Sequence, residues 1–254
     1  MATGRTTPKN VRCYLDEFDM SGYSRSVGPL SWVYEEADLT CQMSDAAKGY
    51  LPGQASISPG TLNGVFDNTA TVGLHVIASS VANRILTIPI GIRAAPAAGD
   101  PAFVGRFVQL GYNGELVGPS VYANIPFGQW DVSNLISYDK PWASLIHPKG
   151  AETAVNTAVG IDDYGSATAL GGYMVYHVVT ANGTLTIKVQ DAAINTDISF
   201  ADITGATTGV VDFSSGGSGI VAIGTAAAVR RYLRWQIVLG TTTTCTFILS
   251  WVRR

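Results

Sequence analysis

Short apolar runs that alternate with polar residues dominate the first half of the chain. In Thr61 to Phe66 the alternation places Leu62, Gly64 and Phe66 on one side of an extended segment. Similar runs, rich in β-branched and aromatic residues, are separated by turn residues such as Asp19 to Gly22. The predicted strands of this half are Val11 to Leu15, Leu30 to Leu39, Thr61 to Phe66, Ile85 to Ile92, Ala102 to Leu110 and Ser120 to Phe127. We expect the first two to pair as a long hairpin.

One segment of the first half departs from this period of two. Leu74, Ile77 and Val81 recur at the spacing of an amphipathic helix. Asp67, Thr69 or Thr71 is available to cap its start. The spacing predicts one short helix between Thr71 and Val81.

The second half returns to the alternation of strands. Asn182-Gly183 separates two alternating runs within Tyr173 to Asp191, which is typical of a hairpin with a two-residue type I′ turn. In that register Val178 faces a core, whereas His177 lies beside Lys188 on a solvated face. Further strands are predicted at Leu233 to Leu239 and Cys245 to Val252.

These patterns predict an all-β fold with two successive β units. We expect a β domain with one short helix over residues 1–130, a connecting segment over 131–170, and a second β-sandwich domain over 171–254. The connecting segment is rich in Pro and Gly and contains the adjacent acids Asp162 and Asp163.

The amino-acid composition favours a protein that assembles with partner subunits. Charged residues make up 14% of the chain, against roughly 25% in an average soluble domain. Between Gly205 and Val229 the only ionisable side chain is Asp212. Weakly polar surface of this extent is tolerated when subunits bury it between them, so the composition favours an assembled structural protein over a free monomeric enzyme.

Charge and apolar runs exclude other classes of protein. The net charge of −3 argues against a protein that holds nucleic acid by its backbone. No apolar run is long enough for a membrane helix, and the first ten residues contain no apolar signal core, so we expect the protein to stay in the cytoplasm where it is made. The three cysteines have no metal-binding spacing and are expected to be reduced.

Residue patterns for catalysis are sparse, so we expect no enzyme activity, no cofactor and no metal. The histidines His75, His147 and His177 lie in no ligand or nucleophile motif. The acidic clusters lack the spacing of a calcium loop, and the Gly-rich stretch Ser214 to Gly219 lacks the Lys of a phosphate-binding loop.

Two features could mediate contacts between subunits. Asp38 to Gly53 contains Ser, Asp, Gly and a Pro-Gly pair and is expected to be an ordered loop, with a helical turn at Asp45 to Lys48. Arginines are the only charged residues after Asp212, and they form either a basic patch that pairs with a neighbouring subunit or a solvated face. This set consists of Arg230, Arg231, Arg234, Arg253 and Arg254.

Four consecutive motifs resemble a known family. Gly28-Pro29-Leu30-Ser31-Trp32 is followed by Glu36-Ala37-Asp38-Leu39-Thr40, then by Ser44 to Gly53 with its Pro-Gly pair, and then by Gly60 to Asp67 ahead of the predicted helix. In this order they look like the tail tube (major tail) proteins of long-tailed bacteriophages and related prophages. The resemblance covers roughly residues 10 to 130. Segments of the second half are similar to the C-terminal β-sandwich fused to some such proteins.

The resemblance implies a tail-tube-like β-barrel or sandwich followed by the C-terminal sandwich. It also implies a homo-oligomeric ring, stacked with other virion tail proteins into a hollow tube in the virion, with DNA only as a transient cargo of the lumen. The loop residues would then contact a neighbouring subunit or ring. These are Asp38, Thr40, Ser44, Asp45, Lys48, Tyr50, Leu51, Pro52 and Gly53.

Two alternatives remain at this point. A capsid decoration or distal tail protein would use the same β units in a small closed oligomer. A carbohydrate-binding β-sandwich module would instead expose Trp130, Tyr138 and Trp142 together as a stacking platform, although we expect these aromatics to lie mostly in the core.

Overall fold

The computed structural model describes residues 6–38, 50–92, 94–117, 120–130, 140–163, 167–224 and 226–254. Within them, helical structure is limited to α1 (Leu74–Ala78) and to the 3-10 turns Pro8–Asn10 and Asp197–Ser199. The strands are β1 (Tyr14–Leu15), β2 (Phe18–Asp19), β3 (Ser24–Gly28), β4 (Ser31–Asp38), β5 (Tyr50–Ser58), β6 (Thr61–Val65), β7 (Asn83–Pro89), β8 (Pro101–Gln109), β9 (Asn113–Val117), β10 (Ser120–Trp130), β11 (Trp142–Glu152), β12 (Ile161–Asp162), β13 (Gly172–Ala181), β14 (Thr184–Ala192), β15 (Ala201–Thr207), β16 (Val211–Asp212), β17 (Gly217–Ile223), β18 (Tyr232–Leu239) and β19 (Cys245–Arg253). The all-β prediction is confirmed.

The chain forms two compact units, and each draws on separate stretches of sequence. The larger unit comprises Met1–Ser24, Arg84–Arg106 and Lys140–Arg254, and the smaller unit comprises Arg25–Asn83 and Phe107–Asp139. The expected boundaries near residues 130 and 170 stay a prediction about which parts fold independently.

The larger unit is built around a β-sandwich. Its main sheet includes the strand order β17-β13-β19-β11-β8, and its second sheet has the order β12-β18-β14-β15. Apolar side chains of both sheets form one buried cluster, with Leu249 and Trp251 from the main sheet and Ile187 and Ile237 from the second. Burial of these two faces against each other supplies the main core of the unit.

The main sheet is also covered on its other face. Tyr14 from the N-terminal segment packs there with Leu145 of β11 and Ile248 of β19. Because both faces of the sheet are covered, β19 is buried along nearly its whole length. In a sheet with one solvent-exposed face, buried and exposed residues would alternate along the strand.

The predicted hairpin at Asn182-Gly183 is wrong. The strands that flank this turn belong to different sheets, because Val178 of β13 lies opposite Phe247 of β19 while Ile187 of β14 lies opposite Ile237 of β18. The turn therefore carries the chain from one layer of the sandwich to the other.

The predicted exposure of His177 is also wrong, because the N-terminal segment covers its side of β13. Its side chain is fully buried. Its Nδ1–H donates to the carbonyl oxygen of Asp16 at 2.5 Å, and the Thr87 hydroxyl donates to its Nε2 at 2.6 Å. Since a carbonyl oxygen can only accept, this pairing fixes the neutral tautomer. Burial lowers the pKa of His177 to about 4.

The smaller unit contains a sheet in which β10 lies between β6 and β9, and β3 follows β6. Ile125 of β10 and Leu62 of β6 are opposite each other and fully buried.

The expected long hairpin between the first two predicted strands is wrong, because β1 pairs with β2 and β7 whereas β4 pairs with β5.

The predicted helix is confirmed but is shorter than its periodicity indicated. α1 buries Leu74 and Ile77, and Val81 lies beyond its end and is exposed. The side-chain amide of Gln109 donates to the Ala78 carbonyl at 2.7 Å, which satisfies a carbonyl that the helix end leaves unpaired.

Candidate assembly surface

β4 and β5 form a two-stranded antiparallel sheet of their own, which we call the ribbon. Its register runs from Ser31 opposite Ser58 to Asp38 opposite Tyr50. Between Tyr34 and Glu36 the register shifts, with one extra residue on the β5 side near Pro52. Proline lacks a backbone N–H and is tolerated in an edge strand or at a bulge, so β5 passes through a Pro-Gly pair that predicted a loop.

Hydrogen bonds fix the base of the ribbon to its own unit. The Ser58 hydroxyl donates to the Phe127 carbonyl at 3.3 Å, and the Gln129 amide donates to the Ser56 hydroxyl at 2.7 Å. Ile57 lies between these serines and is buried. The following turn requires glycine at position 60, where φ is +70° and a Cβ would lie 2.4 Å from the Gly28 carbonyl carbon.

β4 exposes consecutive side chains of the ribbon. Trp32, Val33 and Tyr34 have exposed fractions of 36%, 59% and 43% and lie opposite Ile57, Ser56 and Ala55, so β4 is exposed on both faces along this stretch. Glu35 and Glu36 follow them and are also exposed. An isolated two-stranded ribbon is marginally stable in water, and its outer edges offer unpaired backbone groups. The ribbon thus has the properties of a surface that another chain completes.

The sequence analysis predicted a subunit contact in this region. It assigned the exposed aromatic residues of β4 to an ordinary strand and not to that contact. A usable signal was present, since Trp32-Val33-Tyr34 is apolar at consecutive positions and is followed by two acids. In a strand, three consecutive apolar residues place apolar side chains on both faces. Such a segment therefore lacks the pattern of a strand with one solvent-exposed face and one core face.

The predicted contact-loop residues fall into two groups. Asp38 ends β4, and Tyr50, Leu51, Pro52 and Gly53 begin β5, so these five belong to paired strands rather than to a loop. The remaining residues lie outside the described part of the chain, as does the expected helical turn. They are Thr40, Ser44, Asp45 and Lys48.

The predicted basic patch is paired with acids of the same unit. The Arg231 guanidinium binds the Asp162 carboxylate through two nitrogens, which raises the pKa of Arg231. The backbone N–H of Arg254 donates to the Gly171 carbonyl. A contact between these arginines and a neighbouring subunit stays a prediction. The ion pairs are Arg230 with Asp191, Arg231 with Asp162, Arg234 with Asp197 and Arg253 with Asp163.

The histidines other than His177 have ordinary packing partners. His147 stacks on Phe247 with ring centroids 4.1 Å apart, and its Nε2 is 3.0 Å from Glu152 Oε1. Burial lowers the pKa of His147. His75 lies between Phe66 and Tyr112.

The described residues contain no group of three or more His, Cys, Asp and Glu side chains that could hold a metal ion. No helix among them is long and apolar enough to cross a membrane.

Comparison with known proteins gives a weak likeness to a solved structure. No protein-family model and no curated protein match the chain. Among solved structures, it is similar to the Dit protein (gp 19.1) of SPP1, with 11% identity, a TM-score of 0.33, and coverage of 96% of this chain and 99% of that one. That crystal structure is described as a paradigm of the hub adsorption apparatus in phages that infect Gram-positive bacteria. At this TM-score the likeness does not establish a shared fold.

The aromatic platform of the carbohydrate-module alternative is described only in part. Trp142 has an exposed fraction of 39%, more than expected for a core residue, and its ring packs edge-on against Phe103. Tyr138 and the side chain of Trp130 lie outside the described part of the structure.

Proposed function

We propose that this chain is a structural protein of a phage tail whose copies form rings that stack into a tube for DNA. The observation that supports the proposal is the ribbon, in which hydrogen bonds fix β5 to its own unit while Trp32, Val33 and Tyr34 of β4 are exposed on both faces. In this role the protein has no catalytic task. Its binding energy comes from contacts between identical copies.

Strand addition explains how such a ribbon would be completed. The outer edges of β4 and β5 can accept a strand from a neighbour, and each neighbour offers a further free edge. A contact of this head-to-tail kind closes into a ring when the rotation between copies allows it. Residues Trp32 to Tyr34 would then lose their exposure, and burial of their apolar area would stabilise the ring.

The charge of the ribbon suits a surface past which DNA slides. Glu35 and Glu36 are exposed, and neither β4 nor β5 contains Lys or Arg. A wall with many cations would bind phosphates and retard the DNA, whereas a neutral or acidic wall does not.

The test compares Val33→Lys in the ribbon with Val210→Lys in the larger unit. Both valines are highly exposed, at 59% and 78%, so neither change should unfold the protein. We expect negative-stain electron microscopy and sedimentation over a concentration series to show rings and tubes for the wild type and for Val210→Lys. The Val33→Lys variant should stay monomeric, because a lysine would be buried at the contact.

Other outcomes decide against the tube. Closed rings that never stack would indicate a distal tail or decoration protein in place of a tube subunit. Wild-type protein that stays monomeric at every concentration, or a Val33→Lys variant that assembles normally, would contradict the role of the ribbon.

A further inference from the structure

A groove of about 380 Å³ opens on the polar face of the sheet in the smaller unit. Strand register assembles its floor. Tyr122 and Asn124 are two residues apart on β10 and project from the same face, while Asn63 on β6 lies opposite Asn124 and Glu115 on β9 lies opposite Tyr122. On β10 and β6 the opposite face belongs to the core, where Ile125 and Leu62 are buried.

One end of the groove combines a cation with an aromatic ring. The Arg25 guanidinium lies 4.4 Å from the centroid of the Tyr122 ring. Val117, which is about half exposed, adds an apolar wall. The groove therefore offers apolar contact area next to planar polar groups.

Hydrogen bonds within the unit orient these polar side chains but use only some of their donors and acceptors. The Asn124 amide donates to the Glu115 carboxylate at 3.0 Å, and the Asn63 amide donates to the Ser26 hydroxyl at 3.0 Å. No other described residue takes up the guanidinium donors of Arg25 or the hydroxyl of Tyr122. The side-chain oxygens of Asn63 and Asn124 are likewise open, as is the second oxygen of Glu115. Unused hydrogen-bond donors and unused acceptors thus line the same groove.

This combination specifies the chemistry of a ligand. Arg25 and Glu115 have opposite charges, so an anion would be repelled by the carboxylate and a cation by the guanidinium. A ligand that both donates and accepts hydrogen bonds and has apolar C–H faces satisfies the amides, the carboxylate, the ring and the valine together. We infer that this groove binds a neutral carbohydrate, with adjacent hydroxyls donating to Glu115 and Asn124 and accepting from Arg25.

The proposal is tested with fluorescently labelled protein on an array of neutral bacterial and plant oligosaccharides, followed by calorimetric titration of the strongest hit. The variants are Glu115→Gln and Asn124→Ala. Leu116→Ala is the matched control, since Leu116 neighbours Glu115 but alternates to the other face and is 81% exposed. We expect each groove variant to weaken binding by about tenfold or more, the effect of losing one buried hydrogen bond to a ligand. The control should bind like the wild type.

Three results would overturn the proposal. They are a folded wild-type protein that binds no oligosaccharide on the array, equal binding by the groove variants and the wild type, and equal loss in Leu116→Ala. Sedimentation of the same variants separates this site from the proposed assembly. If Glu115→Gln abolishes self-association instead of sugar binding, the groove is a contact between copies and not a carbohydrate site.

Discussion

Acidification should destabilise the larger unit through His177. The folded protein holds this imidazole neutral, with a pKa of about 4, while the unfolded chain takes up the proton near the ordinary pKa of 6.5. Lower pH therefore favours the unfolded state. The stability contributed by the neutral ring is complete above pH 6.5 and is lost as the pH falls towards 4.

The size of this effect follows from the two pKa values. Between pH 7.5 and pH 5 the proton-linked loss is about 2 kcal/mol, and it reaches about 3 kcal/mol at pH 4. A loss of that size is a large fraction of the free energy of unfolding of an ordinary domain, which is about 5–15 kcal/mol.

The assay is urea unfolding of the wild type and of His177→Gln at pH 7.5 and pH 5, with hydrogen exchange of the β13 amides as a local readout. Glutamine can hydrogen-bond to Asp16 and Thr87 but does not titrate, so the variant should lack about 2 kcal/mol of the pH dependence, whatever its absolute stability. His147 titrates in both proteins, and its contribution cancels in the difference. Identical pH dependence of the two proteins would refute the reasoning.

Two further predictions concern backbone geometry and ion pairs. Gly60→Ala should lower the free energy of unfolding by more than about 1 kcal/mol, because its φ is positive and the new Cβ would meet backbone at 2.4 Å. The same change at Gly114, where nothing lies within 4 Å, should be nearly neutral in the same denaturation experiment. Arg253→Ala should cost about 3 kcal/mol, because the Asp163 carboxylate is 2% exposed and would lose this cation. Arg231→Ala should cost much less in thermal denaturation, since Arg231 is 53% exposed and its ion pair is solvated. Equal losses in either pair of variants would contradict the argument.

The alternation of apolar residues was sufficient to place most of the strands and the helix. β6, β7, β8, β10, β18 and β19 lie where their patterns predicted them, and α1 buries the first two residues of the predicted apolar stripe. The prediction succeeds because the spacing of apolar residues depends only on the local segment once one of its faces packs against a core.

Partners of strands and residues could not be predicted in the same way. Val178 has a near neighbour in sequence across the Asn182-Gly183 turn, yet it pairs with Phe247. Both pairings satisfy the same alternation, and only the packing of two sheets into one core decides between them. The ion pairs of the C-terminal arginines likewise join residues that are distant in sequence, such as Arg231 and Asp162.

By itself, the sequence determined an all-β protein with one short helix and a shortage of surface charge. The tertiary structure alone decided that both faces of β13 are covered, that His177 is buried and that Trp32 to Tyr34 of the ribbon are exposed. The physical reason is that the periodicity of a strand shows which side chains share a face. What covers that face depends on segments far away in the chain, whose arrangement is fixed by the burial of the whole core.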